Sequence, residues 1–162
     1  MELTDSLQQI GLGPQLVTFI ISMLPVFELR GAIPVGVYLG LPVWKAAAIS
    51  LVGNMLPTPF IIAFVRVVFN WIRAHVRWLA GFVDRMEAKA EKNREKIMRG
   101  VFWGLLVFVA IPLPGTGAWT GAAIAALLDI RMSRALPAIL VGVLIAGILV
   151  SLATAGVIQL VV

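Results

Sequence analysis

Two residues in a strongly apolar stretch can do chemistry: Glu28 and Arg30, set within Leu24-Pro25-Val26-Phe27-Glu28-Leu29-Arg30-Gly31-Ala32-Ile33-Pro34. A guanidinium offers a forked set of donors to a phosphate or carboxylate, and a desolvated carboxyl can take up and release a proton. The same pair can also act as a lock, although buried ion pairs seldom stabilise a fold more than apolar packing would. The two roles are compatible. A second stretch, Ile111-Pro112-Leu113-Pro114-Gly115-Thr116-Gly117-Ala118-Trp119-Thr120-Gly121, repeats the design with neutral groups. Its glycine-rich loop runs into a helix start, where backbone N–H groups and the positive dipole end favour an anion. It lacks the Gly-Lys-Ser/Thr ending of a nucleotide-binding loop, and plain packing is the alternative role for its glycines. The candidate site residues are therefore Glu28, Arg30, Gly31 and Pro34 in the first stretch. In the second they are Pro114, Gly115, Thr116, Gly117, Trp119 and Thr120.

Other chemistries lack their residues. The chain has no cysteine and a single histidine, His75, so thiolate and histidine metal centres are excluded. No Ser/His/Asp set and no acidic metal cluster exists, and the expectation is a protein that is not an enzyme and carries no cofactor or metal.

The elements that must hold these residues are membrane helices. The 162 residues are 60% hydrophobic and 13% charged, with mean hydropathy +1.01, whereas ordinary soluble domains carry about 25% charge. A bilayer core of ~30 Å takes ~20 apolar residues per helix. Gln15–Leu24, which follows Gly13 and Pro14, is half that length, and so is the run expected from Pro34 to Leu41, with Ile33 extended before the proline. Pro42–Lys45 reads as an interfacial turn, and Ala46–Val65 as a full span kinked near Gly53 ahead of Pro57. From Arg66 to Met86 the pattern turns amphipathic, with Trp71, Ile72, His75, Val76, Trp78, Leu79, Phe82, Val83 and Met86 on one side. A solvated charged helix follows to Arg99, with Glu91–Arg94 and Glu95–Arg99 pairs. Val101–Ile111 and Ala118–Leu128 are again half-length runs, and Ala135–Val162 is long enough to span. The acidic N-terminus, in which Thr4 or Asp5 caps a short helix, lacks the basic region of a cleaved leader.

The fold class expected is thus an all-α integral membrane protein, one domain over 1–162. An inverted repeat of a re-entrant helical hairpin plus a transmembrane helix covers about 14–65 and 100–162, joined by a cytoplasmic amphipathic and charged connector over about 66–99. Laying Pro25 on Pro112 brings the order of elements into step. A further two-residue shift lays Lys45 on Arg134, Ala46 on Ala135 and Gly53 on Gly142. All Lys and Arg except Arg30, Lys45, Arg131 and Arg134 fall between Arg66 and Arg99, interspersed with Asp84, Glu87, Glu91 and Glu95. That clustering suits a cytoplasmic loop better than a nucleic-acid face, and re-entrant hairpins put nearly every base on the cytoplasmic side.

Phe27-Glu28-Leu29-Arg30-Gly31-Ala32-Ile33-Pro34, taken with Pro112-Leu113-Pro114-Gly115-Thr116-Gly117-Ala118-Trp119-Thr120-Gly121, resembles the bacterial and archaeal small multidrug export protein family, a distant relative of the DedA superfamily. The resemblance covers nearly the whole chain. It implies two facing re-entrant hairpins, a prokaryotic cytoplasmic-membrane location and a transport role, with polyprenyl phosphate as the DedA-type substrate. The arginine-containing second motif of DedA proteins is not matched, since Thr116 and Trp119 stand there without a base. The expected function is a secondary transporter or flippase for an anionic amphiphile, proton-coupled through Glu28. A small-molecule or ion exporter and a non-transporting scaffold are the alternatives. Expected partners are membrane lipids, the anionic lipid-linked or small-molecule substrate, protons and a second copy of the chain through Gly36–Gly40 and Gly142–Ala146, with no nucleic acid.

Overall fold

The computed structural model describes residues 13–75, 81, 83–85, 88, 92, 100–113 and 115–161. Among them are seven named helices and no strand: α1 (Pro14–Met23), α2 (Glu28–Tyr38), α3 (Val43–Met55), α4 (Thr58–His75), α5 (Val101–Ala110), α6 (Ala118–Leu127) and α7 (Met132–Val161). Two runs, Val43–Val65 and Met132–Val157, are long and apolar enough to cross a membrane, yet only 28% and 33% of them is buried. The core helix of a soluble protein would be mostly covered. Here Phe60, Phe64, Ile148 and Leu152 stand exposed, which suits a lipid solvent and not water. Among the described residues the regular structure is all helical, and its two apolar runs are those of a membrane protein.

Its residues form two compact units, one comprising the chain up to Pro57 together with Val143–Val162, the other Thr58–Gly142. In the first unit, α1 starts after an extended Gly13 with Pro14 in its first turn, where a missing N–H costs nothing, and stops at an extended Leu24 before Pro25. α2 then packs back on α1 through Val17 and Ile21 against Ala32, Val35 and Leu39. Joined by the four-residue turn Leu24–Phe27 and packed side by side, the two run antiparallel. At 10 and 11 residues, they are each ~15 Å long, half a hydrocarbon core. α3 packs on both helices of this hairpin. A Cβ at Gly36 would lie 2.8 Å from Thr18 Oγ1 and 3.0 Å from Ala46 Cβ, and one at Gly53 would collide with Ser22 Oγ and come within 2.8 Å of the Phe19 carbonyl oxygen. The close approach of the three helices therefore depends on those two glycines.

Two expectations from the sequence need correction here. The helix after the first break begins at Glu28, six residues earlier than expected, and Ile33 and Pro34 are helical within it. Pro34 leaves the Arg30 carbonyl without its helical donor, but its ring faces outward while Leu29, Ala32, Ile33 and Gly36 are buried. Burial of that face outweighs the lost bond. The second correction is the kink, which lies at Leu56–Pro57 and not at Gly53. The chain restarts at Thr58 with Pro59 in the first turn, where the imino nitrogen is harmless.

In the second unit α4 lies on α6, with Val65, Phe69 and Val83 packed among Ala123 and Ala126 and flanked by Ile61, Ile72 and Leu127. The buried face of α4 is thus Ile61, Val65, Phe69 and Ile72. Trp71 and His75, expected on the apolar side, are exposed and stack on each other at 5.1 Å, with His75 Nδ1 3.0 Å from the Trp71 carbonyl oxygen. No helix boundary separates span from amphipathic segment at Arg66, because α4 is continuous to His75. Val76, Trp78, Leu79, Phe82, Met86, the Glu91–Arg94 and Glu95–Arg99 pairs, Pro114 and the N-terminal cap at Thr4 or Asp5 lie outside the described residues.

The same local pattern occurs in each unit. α5 matches α1 residue for residue, Pro14 with Val101 and Met23 with Ala110, 87 positions apart. Leu24 and Ile111, each before a proline, are both extended. Beyond the breaks the offset is 89. Leu41 N–H donates to Gly36 O (3.0 Å) and Gly40 N–H to Val37 O (2.9 Å), as Ile130 N–H does to Ala125 O (2.9 Å) and Asp129 N–H to Ala126 O (3.3 Å). Both are Schellman endings, with Gly40 (φ 93) and Asp129 (φ 56) in the left-handed position. A Cβ at Gly142 would lie 2.9 Å from Leu106 O and 2.8 Å from Val109 Cβ of α5, the counterparts of Phe19 and Ser22 beside Gly53.

Candidate functional site

The first group of candidate residues lies where the α1–α2 turn ends. Leu24 breaks α1 ahead of Pro25, and the Glu28 N–H donates to the Leu24 carbonyl at 2.9 Å, closing a tight turn that delivers Glu28 and Arg30 onto the first turn of α2. Glu28 is 5% exposed and has φ 47, the left-handed region that costs a non-glycine residue about 1–2 kcal/mol. Its carboxylate acts electrostatically on the half-buried Arg30 guanidinium. Gly31 makes room for the Phe27 ring, whose Cβ and Cδ1 would each lie 3.1 Å from a Cβ there, and Phe27 stays exposed at the turn. Pro34 sits one turn further along α2 on its outer side. Glu28, Arg30, Gly31 and Pro34 are thus on one helix, not in an irregular loop.

Reading the motifs alone missed a buried polar seam in the same unit. Thr18 and Ser22 lie one turn apart on α1, Ser50 and Asn54 one turn apart on α3, and all four have no solvent exposure. The α1 hydroxyls are engaged with their own helix, Thr18 Oγ1 donating to Pro14 O and Ser22 Oγ to Phe19 O, both at 2.7 Å. Ser50 Oγ has no hydrogen-bond partner. Because Gly53 abuts Ser22, the Asn54 end of α3 is level with the turn that carries Glu28. The signal was present as paired small polar residues at helical spacing within apolar runs, a pattern that marks helix contacts in membranes.

The second group occupies the α5–α6 loop. Gly115 (φ 77) and Gly117 (φ 143) hold left-handed backbone there, and Gly117 caps α6 with no side-chain bond. The Thr116 hydroxyl lies 2.7 Å from Ile111 O and 2.8 Å from Leu113 O, either of which takes its proton, and it accepts from the Leu113 N–H at 3.3 Å. Thr116 therefore ties the loop to itself. Trp119 and Thr120 follow in the first turn of α6, both partly buried, next to amides of the kind a helix leaves without intrahelical partners. Gly121 is the contact point with α5, since a Cβ there would lie 2.6 Å from Val109 Cγ2.

Among the described residues the protein is helical, with two runs apolar enough to span, half-length helices in pairs and an acid–base pair at one turn, the make-up of a membrane protein. The match to known families agrees: residues 28–149 fit the family described as "Putative small multi-drug export protein". The chain belongs to that family, whose name is that of a membrane exporter. No curated protein and no solved structure matches it.

Proposed function

We propose that the protein is a secondary carrier that moves an anionic amphiphile across the membrane, with Arg30 receiving the anionic head and Glu28 exchanging a proton as it moves. The observation that carries this reading is the Glu28–Arg30 pair on the first turn of α2. It lies at the closed end of a hairpin whose helices reach only half a bilayer. A charge near the bilayer centre costs at least ~2.5 kcal/mol, and such residues in membranes mark substrate and proton paths. The Gly115–Gly117 loop and the start of α6 supply a second, neutral anion-binding surface.

In this account the two short-helix pairs are re-entrant hairpins entering from opposite faces of a prokaryotic cytoplasmic membrane, with residues 66–99 in the cytoplasm, the arrangement that charge bias favours. Polyprenyl phosphates, the substrates of the DedA proteins that the broken stretches resemble, are one member of the substrate class, and anionic drugs are another. The test is movement of a fluorescent alkyl phosphate across vesicles holding purified protein, with and without a pH gradient. Wild type moves it. Arg30→Ala inserts and folds but does not, and Arg30→Lys moves it slowly, because lysine keeps the charge and loses the fork. Wild-type rates from Arg30→Ala would remove Arg30 from the path and refute the reading.

A further inference from the structure

The first unit contains a groove of about 350 Å³ walled by α2, α3 and the part of α7 after Val143. We infer that it holds the hydrocarbon chain of the amphiphile whose head Arg30 takes, and this rests on the carrier reading above. Three observations bear on the occupant. Leu29 and Ile33 of α2 form one wall, and Leu29 is the residue between Glu28 and Arg30, so the groove opens beside the charged turn and an anionic head at Arg30 places its chain there. The opposite wall is hollowed by small residues, Ala48 on α3 and Gly147 on α7, and no heavy atom lies within 4 Å of where a Gly147 Cβ would be. The volume is at the lower end of the roughly 300–1,000 Å³ typical of small-ligand sites.

The third observation is Ser151, one helical turn beyond Gly147. Serine and threonine in apolar helices usually bond the carbonyl four residues back, as Thr154 does to Val150 at 2.8 Å. The Ser151 hydroxyl is shielded from solvent and has no hydrogen-bond partner, and it belongs to the lining of an otherwise apolar groove. A ligand satisfies it when an oxygen of its phosphate ester reaches the hydroxyl, whereas a bare lipid tail does not. The occupant is therefore a single-chain amphiphile carrying oxygen, such as an alkyl or prenyl phosphate. Lipid tails are as apolar as the groove, so the chain alone gains little over bilayer lipid. Selection comes from the oxygen contacts at Ser151 and Arg30.

The test uses the full chain in vesicles and a diazirine-bearing alkyl phosphate as probe. Photolabelling should fall on Ile33, Ala48 or Ile148. Gly147→Leu, which fills the groove without meeting another atom at its Cβ, should cut labelling and transport about tenfold at unchanged melting temperature. Ala48→Leu, on α3, should do the same, and Ser151→Ala should lower labelling a few-fold. If both filling variants transport normally while Arg30→Ala does not, the groove assignment fails and the carrier reading stands. If the wild type transports nothing but the groove still labels, and Gly147→Leu abolishes the label, the carrier reading fails and the chain site stands. Should Gly147→Leu instead split a dimer, with labelling outside the groove, a second copy covers this face and the inference is overturned.

Discussion

The two breaks sit in one backbone frame and are built from opposite chemistry. Between α1 and α2 the break is Leu24–Phe27, and the left-handed residue is Glu28, the first of α2. Between α5 and α6 it is Ile111–Gly117, and the left-handed residues are Gly115 and Gly117. Glycine adopts that conformation freely, and a buried glutamate does so at a cost. The second loop is thus the inexpensive way to turn the chain, tied by the Thr116 hydroxyl. Strain held at a polar residue where glycine would serve points to a carboxyl retained for function. The comparison separates what the frame needs from what the site needs. Helix lengths, Schellman endings and the Gly53 and Gly142 contacts are common to both halves, while charge at the break is confined to the first.

The largest effect expected after the loss of transport in Arg30→Ala concerns Glu28. Glu28→Gln should fold normally and transport at a rate no longer dependent on pH, measured across a range of vesicle pH values. Loss of folded protein at every pH would make Glu28 a lock and would end the distinction between frame and site. Next in size are Gly53→Ala and Gly142→Ala. Each puts a Cβ against a carbonyl oxygen, at 2.8 Å from Phe19 O and 2.9 Å from Leu106 O, and each should destabilise by about 1–3 kcal/mol in denaturant titrations. A tolerated change at one and not the other would break the equivalence of the halves. Smallest is Gly40→Ala, where nothing lies within 4 Å of the added Cβ and φ is 93, so the cost is backbone strain alone, about 1 kcal/mol by the same titration. No measurable cost there would show that the left-handed position is not needed to end α2.

Much of this frame was legible in the sequence because proline and glycine act locally. Pro14 at a helix start, the stops before Pro25 and Pro112, and the half-length runs read as Val101–Ile111 and Ala118–Leu128, each one residue longer than the helix found, follow from missing donors and run lengths. Pro34 misled because local preference lost to packing: the buried face of α2 carries the helix through it. The faces expected for a second copy, Gly36–Gly40 and Gly142–Ala146, include two glycines, Gly36 and Gly142, that lie against Thr18, Ala46 and Val109 of the same chain, since a small residue marks close contact without naming the partner. The seam of Thr18, Ser22, Ser50 and Asn54 was hidden for a similar reason. Its residues are far apart in sequence and ordinary singly, and only the packing of α3 on α1 puts them in one place.

Topology tests the central claim most directly, because half-length hairpins that return to the side they entered differ from interrupted spans in where their following turns emerge. The chain has no cysteine, so single cysteines at Val43, Ala88 and Met132 can be probed in intact cells with an impermeant thiol reagent. Two re-entrant hairpins of opposite entry predict labelling at Val43 and none at Ala88 or Met132. Labelling at both Val43 and Met132 would mean that the second interrupted segment crosses the membrane, contradicting the account.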